Sequence, residues 1–255
     1  MEREHQSREV SRRRGRVLWS LHLIAMASMF AWASFDLRFE SMVQSLGTAL
    51  TSPLTSLQAT VATVGLARTA VFSGFLFVAL LTLGLLIAER FRSTRASHSR
   101  SLRSLMAIVS VVAIWCSLSV NYSALAWQGN RIRMATQLDE LEAITEPLRQ
   151  DWPQRDGEVA QIGPFMAYPF GRPSVLVLLA SPTLANDHLS IAAIERNHQG
   201  AIKLQLNGTD HDDWAEWHPA GSQPESFVGG LSDPHELESS ARLGQGWSLV
   251  RYRSE

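Results

Sequence analysis

Three long apolar runs dominate the first half of the chain, and charged residues gather between them rather than within them. They are Val17–Phe35, Ala70–Ala88 and Leu105–Trp127, of 19, 19 and 23 residues. A helix rises about 1.5 Å per residue, so about 20 residues cross a hydrocarbon core about 30 Å thick. All three runs are long enough. A core helix of a soluble protein interrupts its apolar stripe with a polar face, and none of these runs carries one. Three transmembrane helices are therefore expected. The Ser, His and Asn within the first and third runs fit this expectation, because small polar side chains bond back to their own helix or to a neighbour.

Between the first two runs, Leu54, Leu57, Val61, Val64 and Leu66 recur at nearly helical intervals, with Pro53 as a break. Residues 36–69 thus read as an outer helical hairpin that packs against the protein's own outer part. After the third run, Ile132, Ala135, Leu138, Leu141, Ile144 and Leu148 fall three or four apart among acids and Arg. This predicts an amphipathic stalk helix over 128–151, flanked at its end by Pro147 and Pro153. Its stripe suits either a short homodimeric coiled coil or a cover for the sheet that follows.

Beyond Trp152 the helical period fades. "SVLVLLA" (Ser174–Ala180), between two prolines, reads as a central strand. "AIKLQLNG" (Ala201–Gly208) alternates apolar with polar and ends in an Asn-Gly turn signal. "PESFVGGL" and "GWSLVRYR" read as two more strands. The fold class is α+β: three transmembrane helices, the stalk, and a small β-rich extracytoplasmic domain over 152–255.

Charge sets the expected direction. Residues 1–129 hold 13 basic and 6 acidic side chains, and residues 130–255 hold 10 and 18. Arg clusters in segments 1–16 and 89–104, and short Arg-rich segments stay in the cytoplasm. Spans at 17–35, 70–88 and 105–127 then leave the 36–69 loop and the carboxyl-terminal part outside, in the cell (inner) membrane. A cleaved signal peptide competes for the first run, since "AWA" at Ala31–Ala33 resembles a cleavage site, but the run is longer than a usual signal core. Nucleic acid is excluded as a partner because an acidic outer domain repels phosphate. The lipid bilayer, and a protein partner or a second copy, are expected instead. The lone Cys116 forms no intrachain disulfide and reads as a packing residue.

One stretch invites chemistry. "TDHDDWAEWHP" (Thr209–Pro219) follows Asn207-Gly208, so its Asp-rich start is expected in a turn and "WAEWHP" in the next strand. On a strand, Trp214, Glu216 and His218 share a face. Glu216 and His218, with His211 or Asp212 reaching across the hairpin, then make a candidate metal site. Neither a His-Glu-x-x-His spacing nor a calcium-loop pattern is present, and turn-plus-strand is preferred. Trp214, Trp217 and Trp247 are candidate stacking residues, against core packing as the plainer reading. His22 is a candidate proton relay, against a place at the membrane interface. No phosphate loop and no Gly-x-Ser-x-Gly elbow occurs, and no cofactor is implied. The leading expectation is a non-enzymatic membrane protein whose outer domain binds or scaffolds a partner or envelope ligand. The alternative is an envelope hydrolase or metal-dependent enzyme using His211, Glu216 and His218. A transporter ranks third, because three spans make a pathway only by oligomerising.

Overall fold

The computed structural model describes residues 2–49, 58, 60–62, 64–93, 99–184, 189–209 and 211–253. The chain divides into two compact units, Met1–Trp127 and Gln128–Glu255. It mixes apolar helices in the amino-terminal region with a sheet-rich carboxyl-terminal part.

In the first unit, α1 is Glu2–Phe35, α2 is Phe39–Ala49, α3 is Leu66–Ser93, α4 is Ser99–Val120, and α5 begins at Tyr122 and ends at Thr136 in the second unit. Among the described residues two segments are long and apolar enough to cross a membrane, Arg13–Phe35 and Leu66–Glu89. A third qualifies only if Leu105–Val120 and Tyr122–Ala135 count as one bent span. The uninterrupted third run expected over 105–127 is thus corrected to a helix broken at Asn121. The cause is local. Asn121 Nδ2 donates to the Ser117 carbonyl, 2.9 Å away, which also accepts the Asn121 backbone N–H. A side chain entering the backbone ladder in this way bends a helix.

Of the expected outer hairpin, α2 is described, whereas Pro53, Leu54 and Leu57 lie outside the described residues. Val64 is buried and Leu66 is exposed. Val64 joins Met29, Ala33, Phe39, Met42 and Phe72 in one apolar cluster, with Trp32 and Phe75 packed against it. Asp36 accepts from the Arg38 backbone N–H and lies 3.5 Å from Arg68 Nε. The chain's reversal after α1 is thereby tied to the start of α3.

His22 is fully buried among the helices. Its Nδ1 lies 2.9 Å from Thr82 Oγ1 on α3, and Trp115 Nε1 on α4 donates to its Nε2 at 3.2 Å. Thr82 Oγ1 in turn donates to the Val78 carbonyl at 2.7 Å. Three apolar helices thus share one polar contact set, the expected way to satisfy a costly polar group among apolar helices.

In the second unit the amphipathic segment is two helices rather than one stalk. It breaks at Gln137, and α6 runs Leu138–Gln150. Pro147 lies inside its last turns instead of ending it. Leu141, Ile144 and Leu148 are buried, and Trp247 Nε1 donates to Glu142 Oε2 at 3.0 Å. The Arg149 guanidinium sits 4.3 Å from the Trp217 ring centre and pairs with Glu142. The stripe therefore covers a sheet.

Among the described residues that sheet has nine strands: β1 (Gly157–Val159), β2 (Gly163–Tyr168), β3 (Val175–Leu178), β4 (Ser190–Arg196), β5 (Ile202–Asn207), β6 (Asp212–Trp217), β7 (Phe227–Val228), β8 (Pro234–Gly244) and β9 (Trp247–Arg253). Their order is β1-β2-β3-β4-β5-β6-β9-β8-β7, and the paired strands are all antiparallel. The chain meanders to β6, crosses to the far edge for β7, and returns through β8 to set β9 beside β6. The β8–β9 turn carries Gly246 at φ 85°. A Cβ there would lie 2.9 Å from the His218 carbonyl oxygen, so glycine is needed for the approach that lets His218 N–H donate to the Gly246 carbonyl.

Candidate functional site

Alternation gives the sheet two faces. On the face under α6, Trp217 lies opposite Trp247, and Asp213 lies opposite Arg251. Arg251 Nε donates to Asp213 Oδ1 at 2.7 Å and Nη2 to Oδ2 at 3.2 Å, a two-pronged bond with both residues buried. On the other face, register places Glu195 on β4 opposite Lys203 on β5, and Lys203 opposite Glu216 on β6. A row of charged side chains thus crosses three central strands.

This row is not on a wet surface. Lys203 is 1% exposed and Glu216 is fully buried. The Lys203 ammonium lies 3.3 Å from Glu216 Oε1, 3.2 Å from Tyr252 Oη and 3.3 Å from the Phe227 ring centre. Tyr252 donates to Glu216 Oε1 at 2.5 Å, and His218 Nε2 lies 2.7 Å from Glu216 Oε2. Both carboxylate oxygens of Glu216 are therefore occupied. His218 Nδ1 lies 3.0 Å from Ser222 Oγ, which donates to Gln199. Burial lowers the Lys203 pKa, and the carboxylates of Glu216, Glu195 and Glu225 only partly restore it. Burial also raises the Tyr252 pKa, and the Glu216 charge raises it further, so the phenol keeps its proton.

A second polar group sits beside the first. Asp212 Oδ1 accepts from Trp214 Nε1 at 2.7 Å. Asp212 Oδ2 lies 2.8 Å from His235 Nδ1, and Asp233 Oδ2 lies 3.0 Å from His235 Nε2. The Phe227 ring stacks on His235 at 4.7 Å. Burial alone would lower the His235 pKa, but the bond to Asp212 and the charges of Asp212 and Asp233 outweigh it and raise it. A raised histidine pKa contributes stability that is complete below the unfolded value, about 6.5, and is lost as pH rises through the folded value. The amides of β8 are therefore expected to exchange with deuterium faster above neutrality than at pH 6, after correction for intrinsic rates. His235→Gln is expected to flatten that dependence. A dependence unchanged in the variant would refute the assignment.

The sequence candidates separate. Glu216 and His218 meet, but His211 lies beyond the other end of β6. Five residues from Glu216 is roughly 16 Å along a strand. Among the described residues no group of three His, Cys, Asp or Glu side chains is placed to hold a metal ion. Trp214 is buried on the polar face in edge contact with Phe227, His235 and Tyr252. Trp217 and Trp247 lie on the opposite face under α6, so the three rings share no surface. The Asp-rich start is also corrected. Asp210 lies outside the described residues, and Asp212 and Asp213 belong to β6 and not to a turn. The Thr209 hydroxyl donating to the His211 carbonyl makes the turn just before it.

Sequence reasoning missed Glu195, Lys203, His235 and Tyr252. A signal existed for Lys203, which is the one lysine of the chain and sits mid-strand between buried apolar residues. Beside this network opens a cavity of about 400 Å³ walled by Ser174, Glu195, Asn197, Lys203, Glu225 and Phe227. Burial and the Asp233 charge raise the Glu195 pKa against the opposing Gly230 N–H, His235 and Lys203. No protein-family model, curated protein or solved structure matches this chain. Its function is therefore argued from this geometry.

Proposed function

We propose that this chain is a multi-pass membrane protein whose carboxyl-terminal domain, outside the cytoplasm, binds a ligand or partner without catalysing a reaction. The apolar helices support the membrane part. Ile24, Phe77, Leu80, Met106 and Val109 are all more than half exposed, a surface that water disfavours and lipid accepts. The Arg-rich segments 1–16 and 89–104 support a cytoplasmic amino terminus.

The observation that carries the binding role is the cavity beside a closed polar network. Glu216, His218 and Tyr252, the groups an acid–base or metal mechanism would draw on, are bonded to one another and buried. The cavity is of the size that takes a small molecule. A photo-crosslinking residue at Val228, which lines the cavity and is 70% exposed, tests the reading in native membranes. A covalent adduct to a discrete molecule is the expected result. No adduct of any kind, including to a second copy, would overturn it. Bound metal that is lost in His218→Ala would instead support the hydrolase alternative built on His211, Glu216 and His218.

A further inference from the structure

We propose that the cavity beside β4, β5 and β7 is a binding site for a small organic molecule carrying a primary ammonium group. The proposal rests on the reading of the domain as a binding module and names the chemistry of its ligand.

Glu195 is the centre of the argument. It is 8% exposed and lines the cavity. Among the described residues its carboxylate accepts one hydrogen bond, from the Gly230 N–H to Oε1 at 3.4 Å. A carboxylate offers about four acceptor sites, and a buried one is costly unless most are filled. Its cross-strand neighbour Lys203 is the obvious cation, yet that ammonium is committed to Glu216, Tyr252 and the Phe227 ring. A second carboxylate, Glu225, lines the same cavity. Arg196 and His198 also line the cavity, but the Arg196 guanidinium turns to within 5.9 Å of the Trp152 ring centre, so the lining cation nearest Glu195 across the strands is the committed Lys203. Burial is the main cause of the upward displacement of the Glu195 pKa, and the charges of His235 and Lys203 oppose it without cancelling it.

The cavity selects among cations. A metal ion would need several convergent ligands, and no such group occurs among the described residues. A quaternary ammonium is best held by open aromatic faces, but Phe227 is covered by Lys203 and stacked on His235. A primary ammonium supplies three N–H donors to fill the vacant acceptor sites of Glu195, with Glu225 and Ser174 within the same walls. About 400 Å³ limits the ligand to a small molecule. Gly230, whose N–H donates to Glu195, belongs to the same lining. A Cβ there would lie 2.9 Å from Ser174 Oγ and collide with Val175, so only glycine lets this backbone close on β3.

The test is calorimetric titration of the full chain in detergent micelles. The probes are putrescine against N,N′-diacetylputrescine and glucosamine against N-acetylglucosamine, with succinate as an anionic control. Saturable binding of at least one amine is expected, at least tenfold weaker after N-acetylation. Glu195→Gln is expected to weaken it at least tenfold. Val228→Trp changes an exposed residue at the mouth and leaves the network intact, so it tests the cavity even if the Glu195 variant fails to fold, and it too is expected to abolish binding. Equal binding of amine and N-acetyl forms, or amine binding that survives Val228→Trp, overturns the proposal. Binding of succinate or an N-acetyl form alone, lost in Val228→Trp, overturns the ammonium assignment while leaving the binding-module reading in place. No saturable heat from any amine also overturns the ammonium proposal, and crosslinking from Val228 then decides the broader reading separately.

Discussion

Glu216→Ala is expected to destabilise the carboxyl-terminal sheet by about 3–5 kcal/mol, because it strands the buried Lys203 ammonium without its nearest anion. The loss should be local to β5, β6 and β9. Deuterium exchange of their amides in the full chain, held in micelles, should accelerate by about two to four orders of magnitude. A companion variant separates charge from packing. Replacing the pair together, as Lys203→Met with Glu216→Leu, removes both buried charges and keeps apolar volume against Phe227. Buried pairs exchanged for apolar residues often cost little. The double variant should therefore be more stable than Glu216→Ala. If the two exchange equally fast, the stranded charge is not the cause, and the network contributes through packing alone.

Asp213→Ala carries the second large effect, again about 3–5 kcal/mol, because Arg251 is then buried without its two-pronged partner. This pair lies under α6, on the face opposite Lys203. Its loss should reach β6, β9 and α6 together. Arg251→Lys preserves the charge but not the planar fork, and a smaller loss in the same elements is expected. Near-neutral behaviour of Asp213→Ala would mean that water reaches the guanidinium in solution. Since Asp213 and Glu216 point to opposite faces of one strand, their effects need not be independent. The double variant measures the coupling between the two layers.

Parts of this architecture were legible in the residues because their causes are local. A helix closes its bonds four residues back, so uninterrupted apolar runs such as Ala70–Ala88 declare themselves without tertiary information. "SVLVLLA" and "GWSLVRYR" similarly announced β3 and β9, since a short β-branched or aromatic run bounded by turn residues has few other uses. β8 was missed. "PHELESSARLG" is polar along much of its length, and it forms a strand because β9 lies beside it, with bulges near Leu237 and Arg242 absorbing irregularities. The break at Asn121 was also hidden. An Asn within an apolar run reads as tolerable until its side chain is seen competing for the Ser117 carbonyl.

The clearest misreading concerns alternation itself. "AIKLQLNG" shows apolar and polar residues in turn, which ordinarily means one buried face and one wet face. Here the first polar position, Lys203, is buried too, with its ammonium against the Phe227 ring, whereas Gln205 is half-buried and Asn207 exposed. A period of two says which residues share a side, not what covers that side. Likewise the Glu216–His218 approach was foreseeable from strand spacing, but the partners that occupy Glu216 were not. Tyr252 lies 36 residues away along the chain and arrives only because β9 inserts beside β6.

The sequence alone determined the elements governed by short-range physics: apolar helices, an acidic carboxyl-terminal half, an amphipathic segment after the third run, and several strands. Tertiary structure alone decided which charged residues meet. Strand order and register set Glu195, Lys203 and Glu216 in one row, fold Phe227 over it, and leave one carboxylate facing a cavity. Pairing between distant strands depends on the summed packing of the whole sheet, and no local window of residues contains that sum.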